Sequence, residues 1–426
     1  MRIALLAIGS RGDVQPYTAL ALGLKNAGHD VRMLCPARFK DFIESYRLTF
    51  CPLNWDPGTF MGGPVTESGR SLFGFWRNFF PKDKRVSENL LRECIGHCEG
   101  AEILLANFVA FFGPMLGKYL GIPTFLMSAV PGFETRELPQ FFFPPLPEWM
   151  PMRGAYNRLS YFLFNAVACG FLSKEMIGLR KRVLSLPPLK GFLKDSLLYG
   201  LTVPMLHEFS PSVIPEPADW KEMFRVSGYW FLDHRPGWKP TRELVRFLSD
   251  GKPPVFISFG SVPQKDPRTY VDLVFEGVAR SGERAILAGG WSRLSDLRSP
   301  ENVLIVNEVP HDWLFPQTAG IVHHGGAGVT AAAFRAGIPS VAVPHFGDQF
   351  FWGERIFALG AGPRPIPRKK LSAQKLADAI VHLISDEQLR KAAEGLGAKI
   401  RAEDGVGEAG RWVERWANDG RVKSCC

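Results

Sequence analysis

No stretch of this chain approaches the roughly 20 uninterrupted apolar residues that a helix needs to cross a bilayer, so a spanning segment is not expected. The start also lacks the apolar core and cleavage site of a secretory signal; Met1-Arg2 runs straight into a short strand and a glycine loop. Cysteine is sparse: seven residues, scattered except for Cys425-Cys426, which excludes a disulfide framework and suits a reducing cytosol. Cys94, His97 and Cys98 share a helix face, but no second ligand pair stands at zinc spacing, so they read as ordinary helix residues. No Asp-x-Asp pair occurs, and no catalytic metal or other cofactor is expected. The first strand is not followed by the G-x-G-x-x-G fingerprint; Arg11-Gly12-Asp13 puts charge in the turn, which argues against a dehydrogenase. Basic residues are in excess, with a net charge of +9, yet they are dispersed and no nucleic-acid motif appears. The charge would suit nucleic acid, but with no motif and no basic stripe a nucleic-acid partner is not expected. A solvated surface or an anionic membrane surface would each account for it.

What is present reads as α/β. At 46% hydrophobic and 22% charged, 426 residues can bury two full cores. Arg2–Ile8 is a near-continuous apolar run, as a central parallel strand requires. The loop 9–16 follows, then helical periodicity from Tyr17 to Ala27 and a second strand at Val31–Cys35. Further strands fall at Phe50–Leu53, Glu102–Phe108 and Thr124–Ser128. Pro204, Pro211, Pro215 and Pro217 mark an interdomain linker. A second α/β unit opens at Val255–Phe259 with Gly260-Ser261, echoing Ile8-Gly9-Ser10. The expectation is two Rossmann-like domains facing across a cleft: residues 1–215, residues 216–405, and a C-terminal helix and tail, 406–426, packing back on the first.

The most informative stretch is His323–Gln349. A short buried strand ends at His323-His324; Gly325, Gly326 and Gly328 turn the backbone; an Ala-rich helix starts near Val329. The free N–H groups and partial positive charge of that helix start suit a phosphate. Ser340–Val343 is the next strand, and Asp348-Gln349 lies beyond its C-terminal end, where ligands of open α/β sheets bind. A glycine turn alone would read as a tight connection. With a histidine pair before it and an acid–amide pair after it, the list fits a nucleotide diphosphate carrying a sugar.

The wording of this segment, HHGGAG at 323–328 and FGDQFFWGER at 346–355, resembles the UDP-glycosyltransferases with the glycosyltransferase-B fold, closest to their sterol 3-beta-glucosyltransferase branch. GSRGDVQPY at 9–17, VSGYWFLD at 226–233, PPVFISFGS at 253–261, GGWS at 289–292 and VPHDWLFPQ at 309–317 resemble it too. The resemblance implies an inverting, metal-independent transfer of a hexose, glucose in the first place, from a UDP-sugar to a hydrophobic alcohol such as a sterol or other lipid. It implies Asp13 as the base that takes the acceptor's proton, which is the reading preferred here over the plainer one of a cap for the helix that follows. It implies contacts to the nucleotide sugar from Ser10, Arg11 and Gly12, from Ser261 and Trp291, from Val309 and His311 around the uracil, and from His324, Gly326, Ala327, Gly328 and Val329 around the diphosphate. Asp348 and Gln349 are implied to read sugar hydroxyls. One departure stands out: the family carries a hydroxyl residue where Val329 stands, so Thr330 or the backbone must replace it. The neighbouring branch that glycosylates polyketides and antibiotics shares the GSRGDV loop and is the alternative reading.

Residues 139–171 are aromatic and basic, with Phe141–Pro145, Trp149 and a run containing Arg153, Tyr156, Arg158, Tyr161, Phe162 and Phe164. Two readings stand level: core with an irregular loop, or a greasy surface for an acceptor or an anionic membrane. On the second, the location would be cytoplasmic with peripheral membrane contact.

Overall fold

The computed structural model describes residues 1–55, 69–79, 83–186, 203–235, 237–259, 267–289 and 298–419. Among them are twelve strands in two sheets. Sheet A holds β1 (Arg2–Leu6), β2 (Asp30–Pro36), β3 (Thr49–Leu53), β4 (Ile103–Asn107), β5 (Thr124–Ser128), β6 (Met205–His207) and β7 (Phe224–Val226), in the order β3-β2-β1-β4-β5-β6-β7. Sheet B holds β8 (Val255–Ser258), β9 (Ala285–Ala288), β10 (Val303–Val306), β11 (Gly320–His323) and β12 (Ser340–Ala342), in the order β10-β9-β8-β11-β12. The pairings in both sheets are parallel. Strand order reverses between β1 and β4 in sheet A and between β8 and β11 in sheet B. Such a switch point opens a crevice at the C-terminal strand ends. The loop after β1 and the glycine turn after β11 are the two segments placed there.

The chain divides into two compact units, Met1–Met61 with Leu72–Leu232 and Asp404–Cys426, and Gly62–Ser71 with Asp233–Glu403. The break at Leu232/Asp233 corrects the expected boundary at 215/216. Prolines 204–217 do not make a linker. They flank β6 and a buried segment in which Phe209, Val213 and Ile214 are wholly enclosed. β7 then adds to β6, and Trp230 packs edge-on against Tyr17, ring centroids 5.6 Å apart. The chain returns to unit 1 at Asp404, whose carboxylate accepts from Gly407 N–H (3.0 Å) and caps the helix Gly405–Asn418. Trp412 of that helix is 3% exposed and sits 5.6 Å from the Phe125 ring.

The phenyl rings of 141–143 pack into unit 1, Phe142 buried and Phe141 and Phe143 half-buried, while Pro144 and Pro145 are exposed, so these rings are not the free apolar groups that an inserting loop needs. Phe142 is 6% exposed and stacks on Phe164 at 5.8 Å, Phe141 lies 5.5 Å from Phe164, and Trp76 closes the cluster. The long helix Arg153–Arg182 turns Tyr161, Phe164, Met176 and Leu179 inward and leaves Met152, just before it, and Leu159, Phe162 and Leu163 exposed.

Candidate active site

In unit 1 the site is built from the end of β1. Ile8 is held on both sides by the buried Asn107 of β4, whose Oδ1 accepts from Ile8 N–H (3.2 Å) and whose Nδ2 donates to Ile8 O (2.6 Å). Gly9 follows at φ +144°; a Cβ there would lie 2.3 Å from Asp13 Oδ2, so only glycine lets the carboxyl come so close. The helix Arg11–Asn26 begins at once. Ser10 gives Asp13 Oδ2 two hydrogen bonds, from its backbone N–H (2.7 Å) and its hydroxyl (2.9 Å). Asp13 therefore does cap the helix, but with one oxygen, and Oδ1 takes neither bond. Burial pushes the carboxyl above its ordinary range, against the bonds from Ser10 and the charge of Arg38. A less acidic carboxylate is a better base. Ser10's hydroxyl is thus committed to Asp13. Arg11 lies over the Phe42 ring (5.0 Å) and donates to Gln15 (3.2 Å), while Gly12 is exposed.

In unit 2 the register aligns His323 with Ser258 of β8 and Ala342 of β12. His323 is buried, and its Nδ1 accepts from Gly325 N–H (3.0 Å), which pins the turn. Gly325 sits at φ +84°, where a Cβ would meet Gln349 O at 2.7 Å; a Cβ on Gly326 would lie 2.5 Å from His324 Nε2. The helix Ala327–Ala336 makes its first turn bond from Thr330 N–H to Gly326 O (3.1 Å), which leaves the amides of Ala327, Gly328 and Val329 as unused helix-start donors. Val329's side chain packs in the core with Leu314 and Phe315, and the Thr330 hydroxyl donates to Gly326 O (2.8 Å). Thr330 therefore does not replace the missing hydroxyl; the backbone is what the cradle offers.

Burial alone lowers the His324 imidazole to about 4, so it is neutral near pH 7, with Nδ1 buried and unpartnered. Gln349 is 4% exposed and its Oε1 accepts from His345 N–H (2.8 Å) and Phe346 N–H (3.3 Å), leaving its amide nitrogen for a ligand. Asp348 is the half-exposed N-cap of the helix Gln349–Ala358. His311 stacks on Phe315 at 4.4 Å and 14°, with Val309 packed nearby against the same core. Ser261 and Trp291 lie outside the described residues.

Sequence reasoning missed Asn107 and His345. His345 is 9% exposed; burial lowers it to about 3, and its Nε2 has no partner. His323, His324 and His345 are all neutral in the folded unit, whereas the unfolded chain protonates them near the ordinary 6.5. Their contribution to stability is complete above pH 6.5 and drains away as pH falls from there toward 4. We expect the melting temperature of the unit 2 transition to drop steeply between pH 7 and pH 5 in calorimetric scans. A flat profile would mean these imidazoles are protonated in the folded protein.

Comparison with known proteins accords with this geometry. The profile of the Glycosyltransferase family 28 N-terminal domain matches residues 3–139, and that of the Erythromycin biosynthesis protein CIII-like, C-terminal domain matches residues 276–409. Among solved structures, the Streptomyces sp. SF2575 glycosyltransferase SsfS6 complexed with thymidine diphosphate aligns with a TM-score of 0.66 at 18% identity, over 97% of this chain and 99% of that one. CalG4, the calicheamicin glycosyltransferase, aligns with a TM-score of 0.67 at 18% identity, over 99% of both chains. The two parallel sheets are those of a glycosyltransferase of the B fold. A sterol 3-beta-glucosyltransferase of Arabidopsis thaliana is 36% identical over 424 residues, covering 96% of this chain and 67% of its own length; one from Neurospora crassa is 37% identical over 428 residues, 96% of this chain and 27% of its own. The chain belongs to the sterol 3-beta-glucosyltransferase family. It spans about two thirds of the Arabidopsis relative and under a third of the fungal one.

Proposed function

We propose that this chain transfers glucose from UDP-glucose to the hydroxyl of a sterol or similar lipid alcohol, with inversion at the anomeric carbon. What carries the reading is Asp13: a carboxyl kept above its ordinary range, fixed through one oxygen, on a chain that is 36% identical to sterol 3-beta-glucosyltransferases. Asp13 takes the acceptor's proton as its oxygen bonds to the sugar carbon. The bond to the diphosphate breaks, and its electron pair leaves on UDP. The amides of Ala327, Gly328 and Val329, with the imidazole of His324, take up the charge that grows on the leaving phosphate. Asp348 and the Gln349 amide face the sugar hydroxyls, and Val309 and His311 hold the base. Incubation with UDP-glucose and a panel of sterols, other lipids and polyphenols, read by mass spectrometry, tests this. A glucosylated polyphenol with no glucosylated sterol would overturn the acceptor assignment.

The lipid acceptor lies in a bilayer, and we propose reversible contact with an anionic membrane through the outer face of the Arg153–Arg182 helix. Among the described residues no single helix is long and apolar enough to cross a membrane. This helix buries one face in its own unit, as a surface element does. Phe162 (53% exposed), Leu159 (52%) and Met152 (80%) offer apolar groups beside Arg153 and Arg158, and the net charge favours anionic lipid. The Cys425-Cys426 pair lies outside the described residues. The five described cysteines, all free thiols, suit a reducing cytosol. Replacing Leu159, Phe162 and Leu163 with Ser is expected to cut sedimentation with phosphatidylserine vesicles severalfold, with the melting temperature unchanged and the wild-type binding weakening as salt rises. Equal sedimentation of variant and wild type would place the contact elsewhere.

A further inference from the structure

The run FGDQFFWGER at 346–355 supplies Asp348 and Gln349 to the sugar side of the site, but Phe350 and Glu354 have no part in the mechanism above. They lie four residues apart in the helix Gln349–Ala358 and so share one of its faces. That face is met by a distant piece of the chain. Gly62–Ser71 falls between β3 and the helix Leu72–Phe79 in sequence, yet it belongs to unit 2. Of its described residues, Arg70 lays its guanidinium over the Phe350 ring, 4.7 Å from the centroid, and its Nη2 stands 3.5 Å from Glu354 Oε1. Gly69, next to it, accepts from Gly347 N–H through its carbonyl oxygen (3.2 Å).

Two consecutive residues therefore grip the segment on both sides of Asp348 and Gln349. On the near side the grip meets a need of the loop. The N–H groups of His345 and Phe346 are met inside it, by Gln349 Oε1, whereas the buried Gly347 N–H is met by Gly69 O. An enclosed N–H without an acceptor would disfavour the loop's present course. On the far side, an ion pair at the surface contributes little alone. Arg70 is 39% exposed and Glu354 31%, so their attraction is partly screened, and the ring adds a second attraction to the same guanidinium. Phe350 and Glu354 are half-buried rather than core, so what Arg70 fixes is the placing of the helix start and not the packing of sheet B.

We propose that Arg70 is a positioning residue for the donor sugar: with Gly69 it holds the start of the Gln349–Ala358 helix where Asp348 and the Gln349 amide meet the sugar hydroxyls in productive geometry. This rests on the reading of Asp348 and Gln349 as the sugar contacts. Arg70 acts through the helix and makes no contact of its own with the sugar. The diphosphate is held from the glycine turn after β11, so loosening the helix start is felt by the sugar first.

The test titrates the full chain calorimetrically with UDP-glucose and with UDP, no acceptor present. Arg70→Ala is expected to weaken UDP-glucose roughly five- to twentyfold, the combined worth of a partly screened ion pair and a cation–ring contact, and to leave UDP within about twofold of wild type. The melting temperature should not move, since a half-exposed side chain is removed. Glu354→Ala cuts the same anchor, so the double variant should lose less than the product of the two single losses. Wild-type affinity for UDP-glucose in Arg70→Ala, an equal loss for UDP and UDP-glucose, or losses that multiply in the double variant would each overturn the proposal. Asp348→Asn separates the two failures: an equal loss of UDP and UDP-glucose in that variant sinks the sugar reading itself, whatever Arg70→Ala does.

Discussion

Asp13→Asn is expected to lower glucosyl transfer by ~10²–10⁴-fold, the usual worth of a general base, while leaving the fold as stable as before or slightly more so. The stability half of that statement follows from the geometry. Asn keeps an oxygen that can accept from Ser10 N–H and Oγ, so the cap survives. It also removes an ionised group from a place where burial disfavours ionisation. A carboxyl raised in the folded state opposes folding at pH values above its titration, and the amide carries no such penalty. Activity assays beside thermal melts at pH 7 separate the two roles. Parallel loss of activity and melting temperature would make Asp13 a cap and nothing more. In the wild type, the acid limb of kcat/KM should lie above the ordinary aspartate range.

Gly325→Ala should cost at least ~10²-fold in UDP affinity, as expected when a binding group is displaced by about 1 Å. Two penalties fall on one residue. At φ +84° a non-glycine residue is strained by roughly 1–2 kcal/mol. The new methyl would also lie 2.7 Å from Gln349 O and 3.2 Å from Ala342 Cβ, and the first of these is backbone that cannot swing aside. Either the turn or the start of the Gln349–Ala358 helix must shift. Both carry donor-site groups: the turn aims His324 and the helix-start amides, the other side presents Asp348 and Gln349. Gly328→Ala is the matched control, because a Cβ there meets nothing within 4 Å and alanine favours a helix. Calorimetric titration with UDP should find Gly328→Ala within severalfold of wild type. Similar affinities for both variants would mean that the glycine turn does not shape the site.

The sheet strands were legible because most are unbroken apolar runs buried on both faces, a pattern that polar loops do not imitate. The donor turn was legible because three glycines, two histidines and an acid–amide pair fall within one strand–helix–strand unit. Sequence could also see that Val329 departs from the family, but not the reason. Only the packing shows that this position faces the core and that Thr330 is tied to Gly326. The prolines misled twice. Those from Pro204 to Pro217 suggested a linker, because three-residue strands such as β6 and β7 give too little periodicity to outweigh them. Pro16 pushed the expected helix start to Tyr17, whereas the helix begins at Arg11 and forgoes the one bond Pro16 would give to Gly12. Phe141–Phe143 read equally well as surface or core, since composition does not say which neighbour covers a phenyl ring.

The helix Gly405–Asn418 fills the core of unit 1 with Trp412, although Leu232 and Asp404 are separated by nearly all of unit 2. On the ribosome the first-made unit is therefore the last to be finished. The Tyr17–Trp230 side of its core waits, apolar and uncovered, while some 170 residues of another domain are synthesised. Apart from Gly62–Ser71, which is made earlier, unit 2 is one run from Asp233 to Glu403 and can close before unit 1 is complete. Chaperone dependence during synthesis should concentrate in unit 1, and premature termination after Glu403 should release a chain whose donor unit is folded and whose acceptor unit aggregates.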